Sequence, residues 1–238
     1  FADFSQEFRP NDLDYLATQH EVLKENSVYG ELTYAPTDRT ELTFGARHFR
    51  YDDDLSMCGA LYPTEDGLAC DQQRETSSGT LGKVAALHHL NNVNTVYVSV
   101  SEGYRRGGAN LIPASEGVGT YYEEDHSLNY EVGIRSAQFD NRLQLNASIY
   151  YIDWSDIQLQ FYSDNGYGYW DNAGNAISTG VELEARYHVS DQFSLVSVYD
   201  HSRAEINKTI EDKSLYKGDA LPGVARDRIN LALEFRQP

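Results

Sequence analysis

The most regular feature of the chain is alternation of apolar and polar residues with a period of two, the mark of a strand whose two faces meet different surroundings. Leu143, Leu145, Ala147, Ile149 and Tyr151 fall on one face, and Arg142, Gln144, Asn146 and Ser148 on the other. Val181, Leu183, Ala185, Tyr187 and Val189 oppose Glu182, Glu184, Arg186 and His188 in the same way. Ile229, Leu231, Leu233 and Phe235 oppose Asn230, Ala232, Glu234 and Arg236, and Leu128, Tyr130, Val132 and Ile134 oppose Asn129, Glu131, Gly133 and Arg135. One face is apolar and the other is polar or charged.

A sandwich strand in water also alternates, so the connections have to discriminate. Residues 36–39, 89–94, 139–142 and 190–192 read as tight turns built on Pro, Asp and Asn. Residues 52–75, 106–126, 162–172 and 205–226 read as long loops rich in Gly, Asp and Tyr, and they alternate strictly with the turns. Short turns at one end and long loops at the other are the pattern of an outer-membrane barrel, with the short set periplasmic and the long set extracellular. The spacing predicts about nine strands, centred near residues 31, 45, 82, 98, 132, 150, 182, 197 and 231, with residues 14–25 as a candidate tenth. Apparent strand lengths over 142–161 and 172–189 exceed the ordinary five or six residues and suit a tilted membrane crossing. The expected fold is therefore all-β, an antiparallel transmembrane barrel segment. Such a segment has unpaired edges, so residues 1–238 are expected to be part of a larger barrel domain.

The composition of 18 Tyr, 18 Gly, one Met and six Pro suits strands and turns better than helices. A negative mean hydropathy does not exclude a membrane protein, because a lipid-facing strand needs an apolar residue only at every second position. The first residues, Phe1-Ala2-Asp3-Phe4, have neither the charged nor the apolar region of a signal peptide.

The formal charge of −18 argues against nucleic acid as a partner. Most of it lies at the long-loop end. Residues 52–75, 106–126, 163–171 and 205–226 carry 17 acidic and 6 basic residues. Cys58 and Cys70, close together in a polar stretch, read as a disulfide made in an oxidising compartment, the alternative being two free thiols. No second Cys or His pair accompanies them to make a zinc site.

Several stretches carry a family resemblance. SVYGELTYAPTDRTELTFGARHFRYDDD resembles the strand, Pro-Thr-Asp turn and strand of TonB-dependent receptors. VYVSVSEGYRRGGAN is similar to that family's Ser-x-Gly-Tyr-Arg-x-Gly-Gly-x-Asn strand end, and SLNYEVGIRSAQFDNRLQLNASIYYIDWSDIQ to its Asn-Tyr-Glu hairpin. NAGNAISTGVELEARY and GDALPGVARDRINLALEF follow in the family's order. Arg106 and Ala225-Arg226 depart from the pattern where Pro is common. The resemblance implies a barrel of about 22 strands around a globular plug, working in the outer membrane with the TonB complex. It further implies contact with lipid and lipopolysaccharide, and import of a ferric siderophore or similar metal chelate. Carbohydrate or cobalamin uptake, a passive porin, and a secreted β-sandwich adhesin are the competing readings.

No catalytic constellation, resident cofactor or metal site is expected. His88 and His89 would point to opposite faces of a strand, and Asp52-Asp53-Asp54 reads as a solvated rim before a cation site. Ligand contact is expected instead from two clusters at the long-loop end, where function concentrates. One is Tyr104, Arg105, Arg106 and Asn110, a basic patch in an acidic rim. The other is Tyr162, Tyr167, Tyr169 and Trp170, aromatics able to stack on a ligand or on one another. A structural alternative for Arg105 is neutralisation of a lumen carboxylate such as Glu131.

Overall fold

The structure of the protein is a computed structural model that describes residues 15–61, 69–110, 112, 116–164 and 166–237. Nine antiparallel strands form one sheet, each paired with its neighbours in sequence along the wall. They are β1 (Tyr15–Thr37), β2 (Thr40–Leu61), β3 (Ala69–His89), β4 (Asn94–Arg105), β7 (Asp125–Gln138), β8 (Leu143–Ser155), β11 (Ala176–His188), β12 (Phe193–Ile206) and β13 (Asp227–Phe235). Two short ribbons, β5 (Gly108–Ala109) with β6 (Tyr121–Tyr122) and β9 (Gln158–Tyr162) with β10 (Gly168–Asn172), lie in the long connections. Neither is a second sheet of the size a β-sandwich would need.

The register puts the alternating residues where the sequence places them. Val96, Val98 and Val100 lie opposite Ile134, Val132 and Tyr130, which in turn lie opposite Ala147, Ile149 and Tyr151. Leu183 lies opposite Ala147 and Tyr199, and Leu231 opposite Ser197. This continuous apolar face is open, with Leu231 68% exposed. Aromatic residues mark its limits, Phe193 against Phe235 near the short turns and Tyr130 against Tyr151 towards the other end. The opposite face carries Tyr97 donating to Glu131, Lys83 beside Glu31 at 3.6 Å, Arg47 paired with Glu25, and Arg186 paired with Glu234.

The short turns are held by their own side chains. Asn91 Oδ1 accepts from the N–H groups of Val93 and Asn94, and Ser190 Oγ from those of Gln192 and Phe193. Phe139, Asp140 and Asn141 all take positive φ, a conformation Asp and Asn tolerate better than most residues.

On the polar face, three glycines lie directly opposite aromatic residues whose rings cover them, Gly79 under Phe49, Gly133 under Tyr97 and Gly180 under Tyr150, and Gly108 lies under Tyr122 in the same way in the β5–β6 ribbon. A Cβ at any of these glycines would meet its ring at 2.4 to 2.7 Å. Each ring thus occupies the side-chain space that its partner leaves empty.

Three sequence expectations need correcting. Residues 52–75 are for the most part not a loop, because β2 runs to Leu61 and β3 begins at Ala69; residues 62–68 lie outside the described ones. Residues 14–25 do not form a separate tenth strand, since from Tyr15 onward they continue into β1. The expected long strand over 142–161 breaks after Ser155, where Asp156 takes φ 53° and the chain leaves the wall to form β9. Both hairpin arms are longer than a crossing needs. At about 3.3 Å per residue, 23 residues of β1 extend well past an apolar band of about 25 Å.

Cys58 and Cys70 are register partners on β2 and β3 and form a disulfide, Cα–Cα 4.0 Å. The bond joins two strands near the tip of a hairpin.

Candidate functional site

At the long-loop end the connections fold together into a cap over the polar face. Its apolar centre is Ile157, Ala173, Ala176, Ala204, Ile206 and Leu221, with Trp154, Leu159, Phe161 and Leu215 packed around it. Lys213, on the connection after β12, reaches Asp171 and the Asn172 carbonyl and lies 5.5 Å from the Phe161 ring centre.

Arg105 holds the cap to the wall. Its Nε donates to Asp125 Oδ2 at 2.8 Å, Nη2 donates to the same carboxylate and to the Gln158 carbonyl at 3.1 Å, and the guanidinium lies 4.7 Å from the Trp154 ring centre. Asp125 is fully buried and also accepts from the Gln158 N–H. The Gln158 side-chain amide donates to the carbonyls of Arg106 and Glu123. The carboxylate that Arg105 neutralises is therefore its cross-strand neighbour Asp125, and Glu131 is taken by Tyr97.

Arg106 turns towards β1 and β2, pairing with Asp53 and with Glu21 at 2.9 Å. Around it the carboxylates crowd. Burial, with Asp53 and Glu124 nearby, raises the Glu75 carboxyl above its ordinary range. Burial also raises Asp53, against the pull of Arg106. The same enclosure, aided by Glu75 and Glu124, pushes the Tyr51 phenol up to about 12. Tyr104 stacks on Phe49 with ring centres 4.0 Å apart.

Asn110 is buried, and its amide pairs with both backbone groups of Trp170 while also donating to Gly119. The first predicted cluster is thus divided among separate structural tasks: Tyr104 and Arg106 hold β1 and β2, Arg105 holds β7 and β9, and Asn110 holds β10. The second cluster is divided by strand alternation. Tyr162 and Trp170 share one face of the β9–β10 ribbon with Gln160 and Gly168, whereas Tyr169 shares the other with Phe161. Tyr167 lies in the connecting turn, where its carbonyl accepts from Ser163 N–H. Tyr162 remains 69% exposed, and Trp170, beside Tyr122, 41%. Sequence reasoning missed Asp125, Gln158 and Glu21, whose roles depend on contacts far apart in the chain.

Asp52 and Asp54 point away from the cap, Asp52 accepting from the Thr76 hydroxyl and Asp54 lying 3.4 Å from Arg74, while Asp53 points into it. Among the described residues, no group of three or more His, Cys, Asp or Glu is placed to hold a metal ion.

Residues 2–238 match the family described as TonB dependent receptor-like, beta-barrel. The chain belongs to the TonB-dependent receptors. The pesticin receptor of Yersinia enterocolitica is 30% identical over 200 residues, which cover 84% of this chain and 28% of that protein. The crystal structure of the ferric yersiniabactin uptake receptor FyuA from Yersinia pestis superimposes with a TM-score of 0.73 at 26% identity, covering 92% of this chain and 32% of that one. The ferric-catecholate import receptor Fiu of E. coli K12, in its closed form, gives 0.72 at 18% identity over 91% of this chain and 32% of its own. The chain therefore spans less than a third of these TonB-dependent relatives and forms part of a receptor barrel. Membership places that barrel in an outer membrane, the apolar face towards lipid and the polar face towards the lumen. This is a family of receptors and transporters, not of enzymes.

Proposed function

We propose that the whole receptor imports a ferric siderophore or a similar metal chelate through its outer membrane, with its own plug in the lumen and energy from the TonB complex. The likeness to the ferric yersiniabactin uptake receptor, 26% identical over nearly all of this chain, is the observation that carries this reading. The cap is compatible with it. Tyr162 and Trp170 offer exposed rings on one face of the β9–β10 ribbon, and rings of this kind stack on planar ligand groups. The Arg105 side chain stays 43% exposed while bound to Asp125, and its Nη1 makes none of those bonds. Such an edge can still donate to an anionic chelate.

The test is growth of an iron-starved host lacking its other chelate receptors, supplied with the full-length receptor and a panel of ferric siderophores. TonB-dependent growth on one of them, reduced by Trp170→Ala with Tyr162→Ala, is the expected result. Failure of every ferric siderophore to restore growth while the receptor takes up labelled carbohydrate or cobalamin in a TonB-dependent manner, or solute passage that persists without TonB, would overturn it.

A further inference from the structure

The wall carries an internal sheet edge, away from both ends of the chain. Strands β3 and β4 pair only from His89↔Thr95 up to Lys83↔Ser101. Above that point β3 stays paired with β2, and β4 with β7 as far as Arg105↔Asp125, so β3 and β4 part. The Gly82 N–H points across the parting and is met by the Glu102 carboxylate at 2.6 Å, a side chain in place of the next ladder bond. In an antiparallel strand the backbone groups of every second residue point to the same side. Those of Thr80, Ser78 and Thr76 therefore point across the parting too, and they meet no partner among the described residues. Leu81, Gly79 and Ser77 turn theirs towards β2.

Open edges of this kind are normally blunted by charge, proline or a bulge. The stretch Thr76-Ser77-Ser78-Gly79-Thr80-Leu81-Gly82 has neither a charged residue nor a proline, and it pairs with β2 without a register shift. On the inner side, side chains close the parting: Phe49 stacks on Tyr104 and Ser77 donates to Glu124 at 3.2 Å. On the outer side it stays open as a cleft of about 290 Å³ beside Thr80 and Leu81. Across that cleft Glu102, Leu128 and Asp153 alternate in phase with Val100, Tyr130 and Tyr151, so it opens outward just above the lipid-facing band. Its described lining includes two carboxylates, Glu102 and Asp153, and no Lys or Arg.

We propose that the β3 edge from Thr76 to Gly82 is a docking site for an extended, basic peptide segment of another protein, which pairs with it as an added strand. The N–H and C=O groups of Thr76, Ser78 and Thr80 supply the ladder, and alternate side chains of the incoming segment supply the selection. Lysine or arginine at every second position faces the cleft and meets Glu102 and Asp153. The site is reached from outside the barrel without passing the cap, so docking and chelate import use different surfaces.

A fluorescent peptide of alternating lysine and valine, about six residues long to match the edge, tests this against the full-length receptor in nanodiscs of zwitterionic lipid. Saturable binding at a single site is expected. It should weaken roughly tenfold when the lysines become glutamates, and by a similar factor when the peptide amides are N-methylated, which keeps the charge and removes the ladder donors. Ser78→Pro removes an edge donor but none from the β2–β3 ladder, a placement that strands tolerate, and it should also cost roughly tenfold. Glu102→Gln with Asp153→Asn should narrow the preference for lysine over glutamate. Absence of saturable binding, equal binding of the N-methylated peptide, undiminished binding by a folded Ser78→Pro receptor, or an unchanged charge preference in the double variant would overturn the site. The N-methyl comparison uses the unaltered receptor, so it decides the matter even if Ser78→Pro does not fold. Because no chelate enters the measurement, its outcome is independent of whether the receptor imports one.

Discussion

The ring of Tyr97 covers Gly133, its cross-strand partner, so closely that a Cβ on the glycine would lie 2.5 Å from ring atoms. The same tyrosine donates to Glu131, and Arg135 lies 5.0 Å from its ring centre. Gly133→Ala should therefore displace the ring and cost about 1 to 3 kcal/mol by overpacking. In the double variant with Tyr97→Ala, the two effects should fall short of additive, because the second change removes the clash created by the first. Urea unfolding of the full-length barrel in lipid vesicles would measure both, and strict additivity would refute the contact.

Facing is tested at two adjacent residues. Leu183→Arg places a charge on the lipid face and should cost roughly 2 to 4 kcal/mol if it lies near the bilayer midplane. Glu182→Gln, on the lumen face, should change stability little. Similar losses from both would mean that the two faces had been exchanged or that neither meets lipid.

Removing Arg105 should act first on the fold. Asp125 has no exposure and takes its charge compensation from Arg105. Stranding a buried carboxylate costs about 3 kcal/mol, so Arg105→Ala should destabilise the cap, and Asp125→Asn should recover part of the loss. A stable Arg105→Ala receptor with an unchanged cap would leave no structural role for the pair.

Between β2 and β3 the disulfide closes a separation of 12 residues. By the chain-entropy estimate for a loop near that length it contributes up to about 3 kcal/mol. Reduction should increase exchange around residues 50–57 and 72–76 and leave the short-turn end unaffected. Peptide mapping that found both thiols free in receptor isolated from outer membranes would remove the bond.

Acidity should tighten the contact between β1–β3 and the cap. Both Asp53 and Glu75 have raised carboxyl pKa values, first through burial. The groups facing them are Glu21, Tyr51, Arg106 and Glu124. A folded-state pKa above the unfolded one adds stability that is complete below the unfolded value and is lost as pH rises through the folded value. Protection of residues 47–56 and 72–81, taken relative to the intrinsic exchange rate at each pH because that rate itself falls in acid, should therefore rise as pH is lowered into and below the ordinary carboxylate range. Asp53→Asn with Glu75→Gln should flatten the profile, and an opposite slope would show that the Arg106 pairs dominate.

The wall was readable because lipid and lumen impose opposite demands on successive residues. Leu143 to Tyr151 and Val181 to Val189 keep that contrast along their lengths. Above the bilayer the contrast changes sides, because Phe49, Tyr51 and Leu55 of β2 are buried towards the cap while His48, Arg50, Asp52 and Asp54 lie on the other side. Asp52-Asp53-Asp54 then looks like loop although it continues a strand, with alternate carboxylates pointing to opposite sides. The pairing of Arg105 with Asp125 needs the β4–β7 register, and that of Asn110 with Trp170 needs two connections folded together. Neither leaves a local pattern. The separation of Tyr169 from Trp170 was accessible in principle, since neighbours in a strand point apart.

The order of strands in the sheet also bears on how such a wall is made. From β2 to β13 every described wall strand pairs with the wall strand before it along the chain, so each new strand finds its template already in place beside it. Closure entropy grows only slowly with loop length, so even the connections of about twenty residues cost little more than the short turns, which favours zippering from one hairpin to the next. The bonds of Arg105 to Gln158 and Asn110 to Trp170 join segments more than 50 residues apart, and they can form only after the strands between them are laid down. Assembly would thus finish at the long-loop end, with the cap setting last over a wall already seated in the membrane.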